Sequence, residues 1–372
     1  MANVQGELLD AVLGLSAGEW RVVDETLCDV DGTPNLARLG ANAVLAVSLA
    51  SVLAAADGER VPLYRYLSTG AFELPMPMVN IVSGGAHADG AIDIQDVLVV
   101  PVGARTFAEA LEWSRRVRAR TADIATERGM SGSLVADEGG LGVSLKTNAE
   151  ALEWVCAGIE RAGLRLDEDM RLAVDVAANG LYDGEDYVLA TEGRRLGSDE
   201  WMTEMLEWRS RYPVASIEDP FAEDDWAPWV EMTNRIGDEV QILGDDLFVT
   251  SRDRLARGID QGAANAILLK PNQAGTLART EQALGLAMSS SYGTVVSARS
   301  GDTEDCWLAD LAVAWGAGQI KVGSTTRAER TAKWNRLVQI EAELEGSAPF
   351  AVPRGRLGDR ATMLPLPASR SR

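Results

Sequence analysis

At 372 residues the chain has room for one large domain and a small companion, and its net charge is −21. That charge excludes nucleic acid and an anionic membrane surface as partners, because both demand the opposite sign. Small anionic substrates stay open, provided that cations focus positive potential inside a cleft. Cys28, Cys156 and Cys306 are scattered, with neither a disulfide framework nor metal-knuckle spacing, so a cytoplasmic setting is expected. No basic segment followed by an apolar core opens the chain, so no signal peptide is expected.

Residues 1 to about 70 carry helical apolar spacing over Val4–Leu13, Ala17–Val30 and Ala41–Ala56. The apolar run 43–56 is short for a membrane span and reads as a buried helix. A boundary falls near Gly70–Leu74, giving a helical domain over 1–72, a barrel over 73–350 and an exposed tail over 351–372. From Met76 two strands are expected, P-M-P-M-V-N-I-V and I-Q-D-V-L-V-V-P-V, with S-G-G-A-H-A-D-G between them. Two helices follow, each with a capping box: Thr106 with Glu109, and Thr147 with Glu150. Strands at Leu172–Val176, Val214–Glu218, Gln241–Gly244, Ala266–Lys270, Thr294–Ser297 and Gln319–Val322 then alternate with helices starting near Asp199, Glu223, Ser251, Leu277 and Thr303. A last helix spans 327–344. Eight strands in this rhythm indicate an α/β chain with a (β/α)8 TIM barrel.

Three apolar runs stop on a carboxylate: Asp175, Glu218 and Asp245. Strand ends of such a barrel meet at one rim, and three carboxylates there suit a hard cation such as Mg2+. Taken singly, each acid also fits a turn or a helix cap. Only four lysines occur among the basic residues, and two of them, Lys270 and Lys321, close apolar strands. Such a lysine either snorkels at the rim or does chemistry. Like charge lowers an ammonium's pKa, so Lys270 is a candidate general base, while Lys321 is placed to bind a substrate carboxylate. Cation plus lysine is equipment for removing a proton α to a carboxylate.

Glu138, in A-D-E-G-G-L-G, is either a turn residue or a general acid, if its loop covers the mouth. His87, the single histidine, follows two glycines after a strand and is read as substrate-facing. Arg299 and Ser300 also follow a strand, where the arginine suits a phosphate or phosphonate. Gln95 and Asp96 are ambiguous alone; Gln95 is assigned to substrate binding.

Together R-L-G-A-N-A-V-L-A-V-S-L-A, S-I-E-D-P-F, G-D-D-L-F-V-T, K-P-N-Q-A-G-T, S-G-D-T-E-D and G-Q-I-K-V-G-S resemble the enolase family, over about residues 5–350. The resemblance implies an enolase-type barrel that starts ββαα and continues in βα units. It implies Mg2+ held by Asp175, Glu218 and Asp245, with Lys270 as base and Glu138 in the acid machinery. It places His87, Arg299, Ser300 and Lys321 on a small phosphorylated or phosphonylated anion, and it implies a homo-oligomer. The family's opening strands and serine-bearing lid find no match, so the N-terminal domain is expected to be truncated and mainly helical. Ala298 stands where the family has a histidine, and Asp96 where it has a glutamate of the acid machinery. These departures imply a dehydratase working on a modified substrate, similar to the carboxyphosphonoenolpyruvate synthases of phosphinate antibiotic pathways. The alternatives are an ordinary phosphopyruvate hydratase and a catalytically impaired binding protein.

Overall fold

A computed structural model of the chain describes residues 1–68 and 70–351. Eight strands close a barrel: β1 Met76–Ser83, β2 Asp96–Val100, β3 Arg171–Asp175, β4 Val214–Glu218, β5 Gln241–Gly244, β6 Ala266–Leu269, β7 Gly293–Ser297 and β8 Gln319–Gly323. They neighbour one another in that order, and β8 pairs back onto β1. All neighbours are parallel except that β2 runs antiparallel to both β1 and β3. A two-residue strand at Leu141–Gly142 lies beside β1, and Tyr187–Leu189 pairs with Arg194–Leu196 as a hairpin. Both are too short to leave a period-two signature.

The expected strands fall within a residue or so of those observed, and the chain does begin ββαα. Helix α3, Phe107–Glu127, and helix α4, Asn148–Arg161, follow β2. Thr106 and Thr147 accept from the N–H groups of Glu109 and Glu150, both at 3.1 Å. The returning carboxylates reach one residue further back than a standard capping box, to the N–H groups of Arg105 and Lys146. Helices α5 Ser198–Arg211, α6 Trp226–Ile236, α7 Arg252–Gln261, α8 Leu277–Ser289, α9 Trp307–Ala314 and α10 Ala328–Glu343 complete the outer ring. Helices α6 and α9 start later than expected, because irregular turns precede them.

Before the barrel lie only helices among the described residues, chiefly α1 Trp20–Asp31 and α2 Ala41–Glu59. The first expected helix is broken at Gly6 into two short pieces. Helix α2 runs past the apolar stretch to 19 residues, which by length and composition is enough to cross a membrane. It buries one face, Val44, Leu45, Ser48, Val52, Ala55 and Ala56. Of the expected tail, Ala351 is buried and donates its N–H to Leu74 at 2.8 Å. The rest of that segment lies outside the described residues.

The helical domain docks by capping a barrel helix. Helix α8 has N–H groups with no partner in its own first turn. Ser48 accepts from Leu277 at 3.2 Å, Asp24 from Ala278 at 2.8 Å, and Thr276 from Arg279 at 3.2 Å. Just before it, Gly275 has φ of +82°, and a Cβ there would sit 2.3 Å from Leu36 of the helical domain. The K-P-N-Q-A-G-T glycine therefore answers both a left-handed turn and a close domain contact. Asp24→Ala is expected to lower stability by about 1 kcal/mol, the usual worth of a helix cap. The check is a lower urea midpoint at an unchanged m-value; an unmoved midpoint would show that the cap carries no weight.

Candidate active site

Period-two alternation builds the site. Met76, Met78, Leu98, Val100, Ala173, Leu243, Ala266, Leu268 and Val295 share one cluster inside the barrel. Two residues on, towards one rim, the same rows turn polar: Met78 leads to Asn80, Ala173 to Asp175, Leu243 to Asp245 and Leu268 to Lys270. Because β2 is antiparallel, its polar residue is the first one. Asp96 pairs with Asp175, and Asp175 with Glu218, so three acids stand level on β2, β3 and β4. That resolves Asp96, which was ambiguous as a residue preceding a strand.

Lys321 projects between two of these acids. Its Nζ donates to Asp175 Oδ2 and to Glu218 Oε2, both at 2.6 Å. Burial opposes its charge, but Asp175 and Glu218 outweigh burial and hold the ammonium well above its ordinary range. Burial likewise opposes ionisation of Asp175, yet Lys321 keeps that carboxyl below its usual value. Glu218 goes the other way, raised to about 8 by burial and then by Asp175. Lys270 Nζ donates to Asp245 Oδ2. Burial pushes Lys270 down, but Asp245 and Glu218 raise it overall. The like charge expected to lower it was that of Lys321 together with a bound Mg2+. Gln95 donates to Asp175 Oδ2 at 3.1 Å.

The turn after β5 is held from outside. Asp219, buried and at φ +41°, accepts from the N–H groups of Asp245 at 2.9 Å and Asp246 at 2.8 Å. Val249 and Thr250 are left-handed at φ +42° and +53°. Such residues persist only where their surroundings over-determine them. Thr250 Oγ1 accepts from Lys270 N–H at 2.9 Å and donates to Gln273, whose amide donates to Asp245 Oδ1 at 3.1 Å. The G-D-D-L-F-V-T and K-P-N-Q segments are thus one hydrogen-bonded unit that aims Asp245 and Lys270. A cleft of about 640 Å³ between the helical domain and the barrel reaches Gln273 from behind.

On the other side, His87 Nδ1 donates to Asp96 Oδ2 at 2.9 Å, and its Nε2 lies 3.9 Å from Glu138 Oε1. Burial opposes the imidazolium, but Asp96 first, then Glu138 and Asp175, raise His87 to about 9. Burial and Asp96 raise Glu138. Glu138 does not ride on an open flap. It is buried, with its carbonyl accepting from Ser324 N–H at 2.8 Å, while the next carbonyl, Gly139, accepts from Arg118 at 3.0 and 3.1 Å and from Thr326 at 2.6 Å.

Arg299 and Ser300 follow β7 as expected, with exposed side chains. Their carbonyls, and that of Val322, are gripped by the fully buried Arg330 of α10. Ala298, buried at the end of β7, bonds through its N–H to Lys321 O at 3.0 Å.

The donor chemistry fits a divalent cation. Asp96, Glu138, Asp175, Glu218, Asp219, Asp245 and Asp246 make seven acids against Lys270, Lys321 and the His87 imidazolium. Glu218 reflects the crowding in part: burial first, and then Asp175, raise its proton affinity. Asp175, Glu218 and Asp245 could hold such an ion with hard oxygens. In this arrangement the two ammoniums occupy the space between them. The triplets whose ligand atoms all lie within 4.8 Å of one another, among the described residues, are instead Asp219–Asp245–Asp246 and His87–Asp96–Glu138. The first is occupied with backbone N–H groups through Asp219, and the second is drawn together by the imidazole itself.

Sequence reasoning missed Asn80, Ser83, Asp219, Gln273 and Arg330. Asn80 left a trace, as a lone amide in an apolar strand, and Asp219 as the second acid of S-I-E-D-P-F. Arg330 left none, since one arginine within a charged helix looks like any other.

Two family models match the chain: Enolase, C-terminal TIM barrel domain, over residues 71–356, and Enolase, N-terminal domain, over residues 1–67. The N-terminal domain of the family is thus present in the helical segment, which holds only helices among the described residues, as expected.

The raised His87 predicts a pH dependence. A histidine whose folded value exceeds its ordinary 6.5 stabilises the fold fully below 6.5, and that contribution is lost as pH rises through about 9. Without divalent cations, folding stability is expected to fall by roughly 2–3 kcal/mol more between pH 6.5 and 9.5 in the native chain than in His87→Gln. Parallel urea titrations of the two proteins check this; identical slopes would refute it.

Proposed function

The chain belongs to the enolase family, and we propose that it is a Mg2+-dependent hydro-lyase that dehydrates a 2-phosphoglycerate-like acid to an enolpyruvate product. One observation carries this reading: the two strand-end lysines meet Asp175, Glu218 and Asp245 on one buried rim. The cation would be held by those three carboxylates and would supply positive charge to the substrate carboxylate as its α-proton leaves. Lys321, fixed on two sides, presents an ammonium to the same carboxylate. Lys270, once released from Asp245 and deprotonated, takes the α-proton. On the far side stand Asp96, His87 and Glu138, where the β-hydroxyl departs. Arg299 and Ser300, whose backbone Arg330 anchors, take the phosphorus end.

The substrate is a specialised one in this reading. Ala298 puts a methyl at the phosphorus end where a larger donor would fill the space, and Asp96 is one methylene shorter than a glutamate. Both changes support a phosphorus end bearing an additional group, as in carboxyphosphonoenolpyruvate synthase-like chemistry. The intact lysine and carboxylate side supports the rival, an ordinary phosphopyruvate hydratase. Three free thiols agree with a reducing, cytoplasmic setting.

The test uses purified protein with Mg2+ and 2-phosphoglycerate, read by enolpyruvate absorbance and by α-proton exchange in deuterated water. Cation-dependent exchange is expected, reduced by about 10³-fold or more in Lys270→Ala. Turnover of 2-phosphoglycerate is expected to stay far below that of a glycolytic enzyme. Turnover at ordinary enolase rates would overturn the specialised substrate. No exchange with 2-phosphoglycerate or its phosphorus-substituted analogues would overturn the reaction itself.

A further inference from the structure

Both oxygens of the aspartate at position 96 are already engaged by the protein. Oδ1 accepts from Ser83 Oγ at 2.7 Å and from the Asn80 amide, which also donates to Ser83 at 2.9 Å. Oδ2 accepts from His87 Nδ1 at 2.9 Å. The residue is fully buried, and its short side chain keeps the carboxyl at the barrel wall. A glutamate would carry the group one methylene further into the mouth. The imidazole, by contrast, points its second nitrogen inward, at Glu138.

The loop that carries His87 is built to hold this pose. A Cβ on Gly84 would lie 2.1 Å from Ile92 and 2.5 Å from the Ile94 carbonyl, so only glycine lets the chain pass there. The His87 carbonyl accepts from Asp137 N–H at 3.1 Å, which ties the histidine loop to the loop of Glu138. The distance from Nε2 to Oε1, 3.9 Å, is too long for a direct hydrogen bond. It is short enough for one oxygen atom to touch both groups.

Building on the dehydration proposed above, we infer that the departing hydroxyl sits between His87 and Glu138, that His87 Nε2 gives it its proton, and that Asp96 is a positioning residue for the imidazole. The step balances. Lys270 as neutral amine takes the α-proton, and the C–H electron pair becomes the enediolate. That pair then forms the C=C bond as the C–O bond breaks. The oxygen leaves with the bonding electrons, takes the proton from Nε2 and departs as water. Glu138 accepts the hydroxyl's own O–H and so turns a lone pair towards Nε2. Lys270 ends with one proton more and His87 with one fewer, and both reset with solvent. Asp96 from β2, Glu138 from the glycine-rich loop and Asp175 from β3 face the imidazole and favour its charged form, while Lys321 from β8 is itself held by Asp175 and Glu218 and also faces Asp96 and Glu138.

Two measurements test this. With Mg2+ and 2-phosphoglycerate or its active analogue, His87→Gln is expected to lose elimination by about 10²–10⁴-fold, with α-proton exchange falling far less. Glu138→Gln, which keeps an acceptor for the hydroxyl, is expected to lose less elimination than His87→Gln. The reverse order, or His87→Gln eliminating within a few-fold of the native rate, overturns the proposal. The second measurement needs no substrate. The single histidine gives one imidazole signal by NMR. Its titration midpoint is expected well above 6.5 in the native chain and markedly lower in Asp96→Asn. An ordinary midpoint in both proteins overturns the pairing. If the native chain shows no α-proton exchange, the reaction reading falls instead, and the titration still decides whether Asp96 positions His87.

Discussion

The ammonium of Lys321 between Asp175 and Glu218 is the contact on which the rest of the rim depends. All three groups are buried, and each lost its water to be there. Moving an ion from water into a protein interior costs several kcal/mol, repaid only by close, well-directed partners. Two contacts of 2.6 Å supply that for the lysine and for Asp175. They do not satisfy Glu218 equally, because burial and then Asp175 and Asp245 weigh against its charge. The rim is therefore organised around a deficit of positive charge. A pocket with that deficit favours a multivalent cation and a substrate whose own charge is drawn in behind it.

The backbone is arranged so that this charge can be concentrated without collapse. Reversing β2 brings Asp96 level with Asp175 and Glu218, although it begins its strand while they end theirs. Asp219, at a positive φ, spends its carboxylate on the N–H groups of Asp245 and Asp246. It thereby stiffens the turn that carries Asp245 and disperses its own charge into the backbone. Burial and its acidic neighbours nevertheless push Asp219 well above the usual carboxyl range, a sign of how crowded the acids are. Arg330 does the corresponding work opposite, gripping three carbonyls rather than an anion, so that the Arg299–Ser300 corner is fixed from below.

What was legible in the sequence follows from these facts. Asp175, Glu218, Asp245 and Lys270 each end an apolar run, whereas Lys321, expected to close its strand, lies in the middle of it; a charged residue in or closing a buried strand contradicts its surroundings strongly enough to be seen. The barrel was legible for the same reason, since eight short runs at helix-length intervals leave few other folds. The pairing of Lys270 with Asp245 was not legible, because only the fold brings the two together. Nor was the part played by Asp96, whose meaning lies in contacts with Asn80, Ser83 and His87 across two strands and a turn. Residues that act by holding others, such as Asp219 and Arg330, carry ordinary local patterns and become visible only through their partners.

The two sides of the rim thus differ in how they are made. On the side of Lys270 and Lys321, the carboxylates of Asp175, Glu218 and Asp245 are met directly by the two ammoniums. On the side of Asp96, the carboxylate is fully buried, both its oxygens are engaged by the protein, and the imidazole it holds stands between it and Glu138. Shortening a glutamate to an aspartate there would leave a gap if the side chain had to touch substrate itself. With His87 bridging that gap, the same shortening becomes a change of which atom faces the substrate. In the reading proposed above, the ring nitrogen of His87 makes the contact that the shorter Asp96 cannot reach, so the departures at Asp96 and Ala298 reshape what the site accepts without disabling it.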